Sequence, residues 1–428
     1  MSGRDDFDIA IVGAGIAGCT AARLYGELGF RVALVDRRTE IDDYKRICTH
    51  FIQPSATPVI DRLGLASLIE EAGGVRNSLE TWTRWGWIRV SEPEGGGSHP
   101  FGYSIRRQTL DPMLRELAAK TPGVELMMDR TAENLLSTEG RFSGVSLRSS
   151  GGVRQRISAR LLVAADGRDS RLGELAGVRA RQRANNRFTY FAYYRNLAHA
   201  PGMTGRMWVL EPDTAIAYPN DEDISVVACF VDKKRLPEFK RDPEASFEKL
   251  IGSLPGGPSL SEAERVSPLL GKLQMPNHSR RTAVPGLAFV GDAAMASDPL
   301  WAVGCGWAFQ SAAWLVDSTT EPLMAEKKLD AALRRYRRKH RSELLPFYLQ
   351  SANFSTARGL LPHEKLLLSS ATKDPVTARR FTAFGEGLIG IGELLSPWSL
   401  GRALRVRVAH RVEDQRSDVG TWPVRAKQ

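Results

Sequence analysis

The chain opens on an apolar run, FDIAIV over 7–12, then a glycine-rich turn, then apolar positions at helical spacing from Ile16 to Leu28. An unbroken apolar run stopped by glycine predicts a strand buried on both faces, and the segment behind it predicts a helix. A second run, RVALVD, ends at Asp36, and two later runs end on the same kind of glycine–acid signature: LLVAADGRDS (161–170) and LAFVGDAAMASDP (287–299). The last leads through AAMASDPLWAVGCG into an apolar helix-like run, WAFQSAAWLVD (307–317). Strands alternating with helices predict a parallel sheet, so the expected class is α/β.

Between these runs the period changes from helix-like to strand-like. WTRWGWIRV (82–90) and the stretch from His99 to Ile105 flank EPEGGG and read as a hairpin. FTYFAYYRN (188–196), RMWVLE (206–211), TAIAYP (214–219) and ISVVACFV (224–231) predict further antiparallel strands. Their aromatics, among them Trp82, Trp85, Trp87, Tyr190, Tyr193 and Trp208, suit either sheet packing or a wall for a flat ligand. Beyond residue 345 the periodicity is helical, with Asp374–Pro375 and Ser396–Pro397 as helix starts. GEGLIGIG (385–392) has the glycine spacing of a nucleotide loop, but no strand precedes it, so a close-packed helix is expected.

The turn after the first strand carries the clearest chemistry. Gly13 permits the tight turn, Gly15 lets the backbone approach a pyrophosphate, and Gly18 lets the helix pack against the strand. Ala14, Ile16 and Ala17 complete the turn and the helix N-terminus, whose unpaired N–H groups and positive dipole end favour a phosphate. Asp36, followed by Arg37, closes the next strand where a carboxylate accepts from ribose hydroxyls. This unit alone fits any dinucleotide.

Charge and cysteine usage narrow the surroundings. The net charge is +10, with much of the excess in RRYRRKHR (334–341) and in arginines 402, 405, 407 and 411. A solvated helix face accounts for the first cluster, while an acidic carrier protein or an anionic membrane is another use of a basic surface. One interleaved aromatic, Tyr336, does not make a nucleic-acid motif. Cys19, Cys48, Cys229 and Cys305 show no metal-ligand spacing, so no metal site is expected. The acidic opening MSGRDDFD and the lack of roughly 18 continuous apolar residues predict a cytoplasmic protein with neither secretory signal nor membrane span.

Three further matches supply a family. RQTLDPML opens on Arg107 as in the R-x-x-L-D-x-x-L element of flavin monooxygenases, ADGRDS carries Asp166 and Gly167, and VGDAA carries Gly291 and Asp292. Together with the first turn, they make roughly the first 340 residues resemble glutathione-reductase-type flavoproteins of the aromatic-hydroxylase group. Flavin halogenases and geranylgeranyl reductases are the near relatives. The resemblance implies FAD, with Arg107 on the phosphates, Asp292 on the ribitol chain, and Pro299, Gly304 and Cys305 in a loop against the flavin ring. Gly304 and Gly306 are expected in that loop, ahead of a helix whose positive end faces the ring. Arg46 and His50, in the loop YKRICTHFIQPSATP (44–58), are then the candidates for contacting flavin and for acid–base chemistry.

The implied fold is a discontinuous Rossmann-like FAD-binding domain (1–75, 102–180, 275–345), an inserted antiparallel β-sheet substrate domain (76–101, 181–274) and a C-terminal helical region (346–428). The implied activity is monooxygenation of an electron-rich small molecule of secondary metabolism through a flavin hydroperoxide. Electrons would come from NAD(P)H or a partner flavin reductase, and the protein would be a monomer or homodimer. Departures from the hydroxylase pattern, Ala302 at the first glycine position and Met295 in place of a histidine, leave a geranylgeranyl-type reductase as the alternative. Halogenation is disfavoured, because WGWI (85–88) is followed by Arg89 and no lysine lies between Lys45 and Lys120.

Overall fold

The computed structural model describes residues 6–77, 79–90, 100–199 and 205–410, so EPEGGG and Arg411 lie outside the described residues. The chain forms two compact units: Met1–Gly74 with Ile105–Ala184 and Pro276–Ala352, and Val75–Ser104 with Asn185–Met275 and Asn353–Gln428.

In the first unit five strands of the main sheet run in the order Leu287–Phe289, Arg154–Ala164, Phe7–Val12, Val32–Val35, Val124–Met127, all parallel, with Ala283–Val284 antiparallel at one end and Arg141–Arg148 antiparallel on Arg154–Ala164. Ile9–Ile11, Val32–Val35 and Leu161–Ala164 are buried, as a parallel sheet covered on both faces demands. Parallel strands put their carboxyl ends on one edge. There Gly13 N–H donates to Val35 O (2.7 Å), Ala165 N–H to Val12 O (2.8 Å) and Val290 N–H to Ala164 O (3.0 Å). All three glycine–acid turns therefore leave the sheet side by side, in the crevice where open α/β sheets bind ligands. Gly13 (φ +109°) is required: a Cβ there would collide with the Ala165 carbonyl, and one on Gly18 with the Gly13 carbonyl.

The second unit is built on a sheet in the order Glu264–Arg265, Arg187–Arg195, Ile224–Asp232, Thr214–Pro219, Gly205–Val209, Leu79–Thr83, Gly86–Ile88. All four strands predicted between residues 188 and 231 are present, each antiparallel to its neighbour among them. The predicted hairpin is placed differently. WTRWGWIRV folds back on itself, pairing Trp82 with Trp87 and Thr83 with Gly86, and Gly102–Ser104 pairs with Val75–Asn77 instead. The cause is Gly86 (φ +117°), which closes the turn one residue after Trp85.

Most of the aromatic load packs inside the sheet. Trp208 is fully buried and donates to Pro255 O (2.9 Å), Trp87 meets it edge-on at 5.7 Å, and Tyr190 stacks on Phe239.

The C-terminal helices belong to this second unit from Asn353 onward. Arg187, fully buried, lies over the Phe354 ring at 4.4 Å and donates to its carbonyl. Asp374 and Ser396 cap Pro375–Gly385 and Pro397–Ala409 by accepting from Thr377 and Ser399 N–H, as the X–Pro pairs predicted. GEGLIGIG is not a helix. Its first residue ends Pro375–Gly385, and Gly387 (φ +72°) then turns the chain, with Gly387 N–H on Phe384 O and Leu388 N–H on Ala383 O. A left-handed glycine in this pattern terminates a helix.

Candidate functional site

The three turns enclose a cavity of about 480 Å³ that lies wholly in the first unit. Its wall includes Gly13, Gly15, Ile16, Ala17, Asp36, Arg37, Arg107, Asp166, Gly167, Asp292, Pro299, Gly304 and Cys305. Sequence positions up to 292 residues apart are thus brought to one cavity by the shared edge of the parallel strands.

The other predicted residues lie off the wall. Ala14 donates its N–H to Asp36 Oδ2 (2.5 Å), Gly18 packs under Gly13, and Gly291 N–H bonds Ser311 Oγ (2.9 Å). Arg46 is exposed and off the wall. His50 is buried, with its Nδ1 accepting the Arg107 N–H (3.0 Å), so its neutral ring carries its proton on Nε2 and holds the start of the Arg107 helix.

Local electrostatics are set by residues that motif spacing does not reveal. Lys45 Nζ meets Asp292 Oδ2 at 3.2 Å. Burial alone would raise the Asp292 carboxyl, but Lys45 and Arg168 outweigh it and hold it down at about 2. Asp292 in turn raises Lys45. The Lys45 main-chain N–H donates to Asp111 Oδ2 (3.0 Å), while Arg107 Nε pairs with Asp111 Oδ1 (2.5 Å), so one carboxylate fixes the Arg107 guanidinium and the backbone that carries Lys45. Arg115, fully buried, donates to the carbonyls of Ala14, Ile41 and Asp43 and ties the glycine turn to the next loop.

The helix after the last turn begins at Val303, with Ala302 (φ 52°) as its N-cap, so Gly304 and Gly306 lie in its first turn rather than in a loop. No acidic side chain occupies that turn, and its N-terminal N–H groups face the cavity side at Gly304 and Cys305. Cys48 stands across from Cys305, Sγ to Sγ 3.8 Å. Trp307 lines the cavity and packs on Phe347, which also meets Trp301, the ring centroids of each tryptophan 6.1 Å from Phe347.

The donor set fits a dinucleotide. A Cβ built on Gly15 meets nothing within 4 Å, which leaves room for phosphate at the N-terminus of Ile16–Glu27, a helix with no side-chain cap. Arg37, Arg38, Arg130, Arg168 and Lys45 line the same cavity and match a doubly charged pyrophosphate. Asp166 Oδ1 is buried without a partner, an acceptor that a ligand hydroxyl or ring N–H would satisfy. Filling the open space with Gly15→Val is expected to raise the FAD Kd at least about tenfold while leaving the unfolding midpoint within about 2 °C. Flavin-fluorescence titration and thermal melts read the two effects; unchanged affinity would mean the phosphates lie elsewhere.

A family model for an FAD binding domain matches residues 6–343. A digeranylgeranylglycerophospholipid reductase of Methanosarcina acetivorans is 25% identical over 311 residues, covering 69% of this chain and 71% of that protein. Among solved structures, a flavoprotein/dehydrogenase from Cytophaga hutchinsonii superposes with a TM-score of 0.76 at 15% identity, covering 95% of this chain and 99% of that one. A probable FAD-dependent monooxygenase from Pseudomonas aeruginosa gives 0.65 at 19% identity, covering 87% and 98%. No helix among the described residues is long and apolar enough to cross a membrane.

Proposed function

Because this chain belongs to the FAD binding domain family of flavin oxidoreductases, we propose that it reduces a carbon–carbon double bond of an apolar, isoprenoid-like small molecule, with electrons from NAD(P)H delivered directly or through a partner flavin reductase. FAD supplies the two-electron chemistry when bound. Gly13–Ala17 and Arg107 would hold its phosphates, Asp36 its adenosine ribose and Asp292 its ribitol, with Asp166 accepting from the bound nucleotide. The start of the Val303–Met324 helix, through Gly304, would lie against the ring.

The carrying observation is the thiol pair on the cavity wall. Cys48 sits among Lys45, Arg107 and His50, and a thiolate in such a setting is what peroxides oxidise. A cavity lined by that group suits electron transfer without oxygen. Cys305 keeps its proton because its thiol bonds Cys48 and is buried, so Cys305 Sγ is a proton source on the wall for the reduced carbon. The kinship to a prenyl-lipid reductase supports the same reading.

Monooxygenation of an electron-rich aromatic is the second reading, favoured by the Trp307 ring on the cavity wall. The two separate in one anaerobic experiment. Photoreduced holoprotein mixed with geranylgeranyl compounds is expected to regain its oxidised flavin spectrum with no oxygen present. If reoxidation requires dioxygen together with a phenol, indole or amine, the reductase reading is wrong and the oxygenase reading replaces it.

A further inference from the structure

We propose that Cys48 and Cys305 close into a reversible disulfide by exchange with a small-molecule disulfide, locking the cavity wall in a thiol-free state. The sulfurs stand 3.8 Å apart and share the cavity. A disulfide bond is about 2 Å long, so the missing displacement is under about 2 Å. Cys48 lies in a stretch without helix or strand and can supply that movement, while Cys305 is fixed in the first turn of a 22-residue helix.

The surroundings divide the labour between the two sulfurs. Cys48 is half-buried and its Sγ accepts the His50 N–H at 3.3 Å. The hydrogen bond from Cys305, then the charges of Arg107 and Lys45, pull its thiol well below the usual range, so it is the attacking thiolate. Cys305 is the resolving thiol: its residue is buried and its sulfur faces Cys48 at the cavity wall. Cys19 and Cys229 are buried, and burial pushes both thiols up, Cys229 to about 12, which leaves them inert.

With oxidised glutathione as reagent the step balances. Cys48 Sγ attacks one sulfur, the reagent S–S bond breaks, and one glutathione leaves as thiolate. Cys305 then loses its proton to solvent and its sulfur attacks Cys48 Sγ, releasing the second glutathione. The protein loses two electrons and the one proton of Cys305; the reagent gains the electrons as two glutathione thiolates, which take their protons from solvent. Closure would remove the Cys305 proton and the Cys48 negative charge from the wall. The exchange needs no bound flavin, so its failure is distinguishable from failure of the reductase reading.

The full chain, reduced and desalted without oxygen, is incubated with oxidised glutathione and followed by intact mass and peptide mapping. Expected are a loss of about 2 Da, a cross-linked pair of peptides containing Cys48 and Cys305, and full reversal by dithiothreitol. Cys305→Ser is expected to stop at a glutathione adduct on Cys48, and Cys48→Ser to stay unmodified. A wild-type adduct that never resolves, a cross-link through Cys19 or Cys229, or no reaction at all would overturn the proposal. The wild-type peptide map decides even if a variant fails to fold.

Discussion

Arg115→Met is expected to lose FAD binding and about 3–5 kcal/mol of stability. Arg115 has no solvent exposure, and its guanidinium donates to three backbone carbonyls, those of Ala14, Ile41 and Asp43. Methionine fills a similar volume but leaves those acceptors without their donor, and buried unpaired carbonyls are costly. The glycine turn and the following loop would then part, opening the glycine-turn end of the cavity. Urea unfolding gives the stability change and flavin-fluorescence titration the binding change. A loss under about 1 kcal/mol would show that the loops hold each other without this residue.

Glu386→Gln is expected to act in the opposite direction, and only at high pH. Glu386 is fully buried at the end of the Pro375–Gly385 helix, and neither carboxylate oxygen has a hydrogen-bond partner. Burial pushes its carboxyl up to about 8 from an ordinary value of 4.5. Between these values the unfolded chain has lost the proton and the folded chain keeps it, so stability falls as pH rises from 4.5 to about 8 and then levels off. Glutamine removes that proton linkage. The variant should match the wild type near pH 4.5 and exceed it by roughly 3 kcal/mol at pH 9. Parallel denaturation curves at both pH values check this. An equal difference at the two would mean the carboxyl is not the source of the slope.

Legibility followed chain distance. The Phe7–Val12 strand and its glycines were readable because turn, strand and helix lie within a short stretch, where backbone sterics dictate residue type. Gly13 and Gly18 are required by collisions that any side chain would make. The caps at Asp374 and Ser396 were readable for the same reason, since a cap bonds an N–H three residues on. Turn closure was misread twice. Gly86 folds the tryptophan segment on itself, and Gly387 ends a helix where the surrounding helical periodicity predicts its continuation. A glycine's φ depends on its neighbours' hydrogen bonds, which spacing does not record.

The site's chemistry was less visible. Lys45 and Asp292 are separated by 247 residues, and Cys48 and Cys305 by 257. Neither pair has a local signature. His50 was readable as a loop histidine, but its role in fixing the Arg107 helix comes from one hydrogen bond across 57 residues.

From the amino-acid order alone came the parallel sheet, the glycine turn after its first strand and the acids that close its strands, because each is imposed by packing and backbone constraints a few residues wide. Tertiary structure alone decided which charges surround those acids and that two scattered thiols share a wall. Coulomb forces and sulfur exchange act over a few ångströms of space, however much chain lies between the groups.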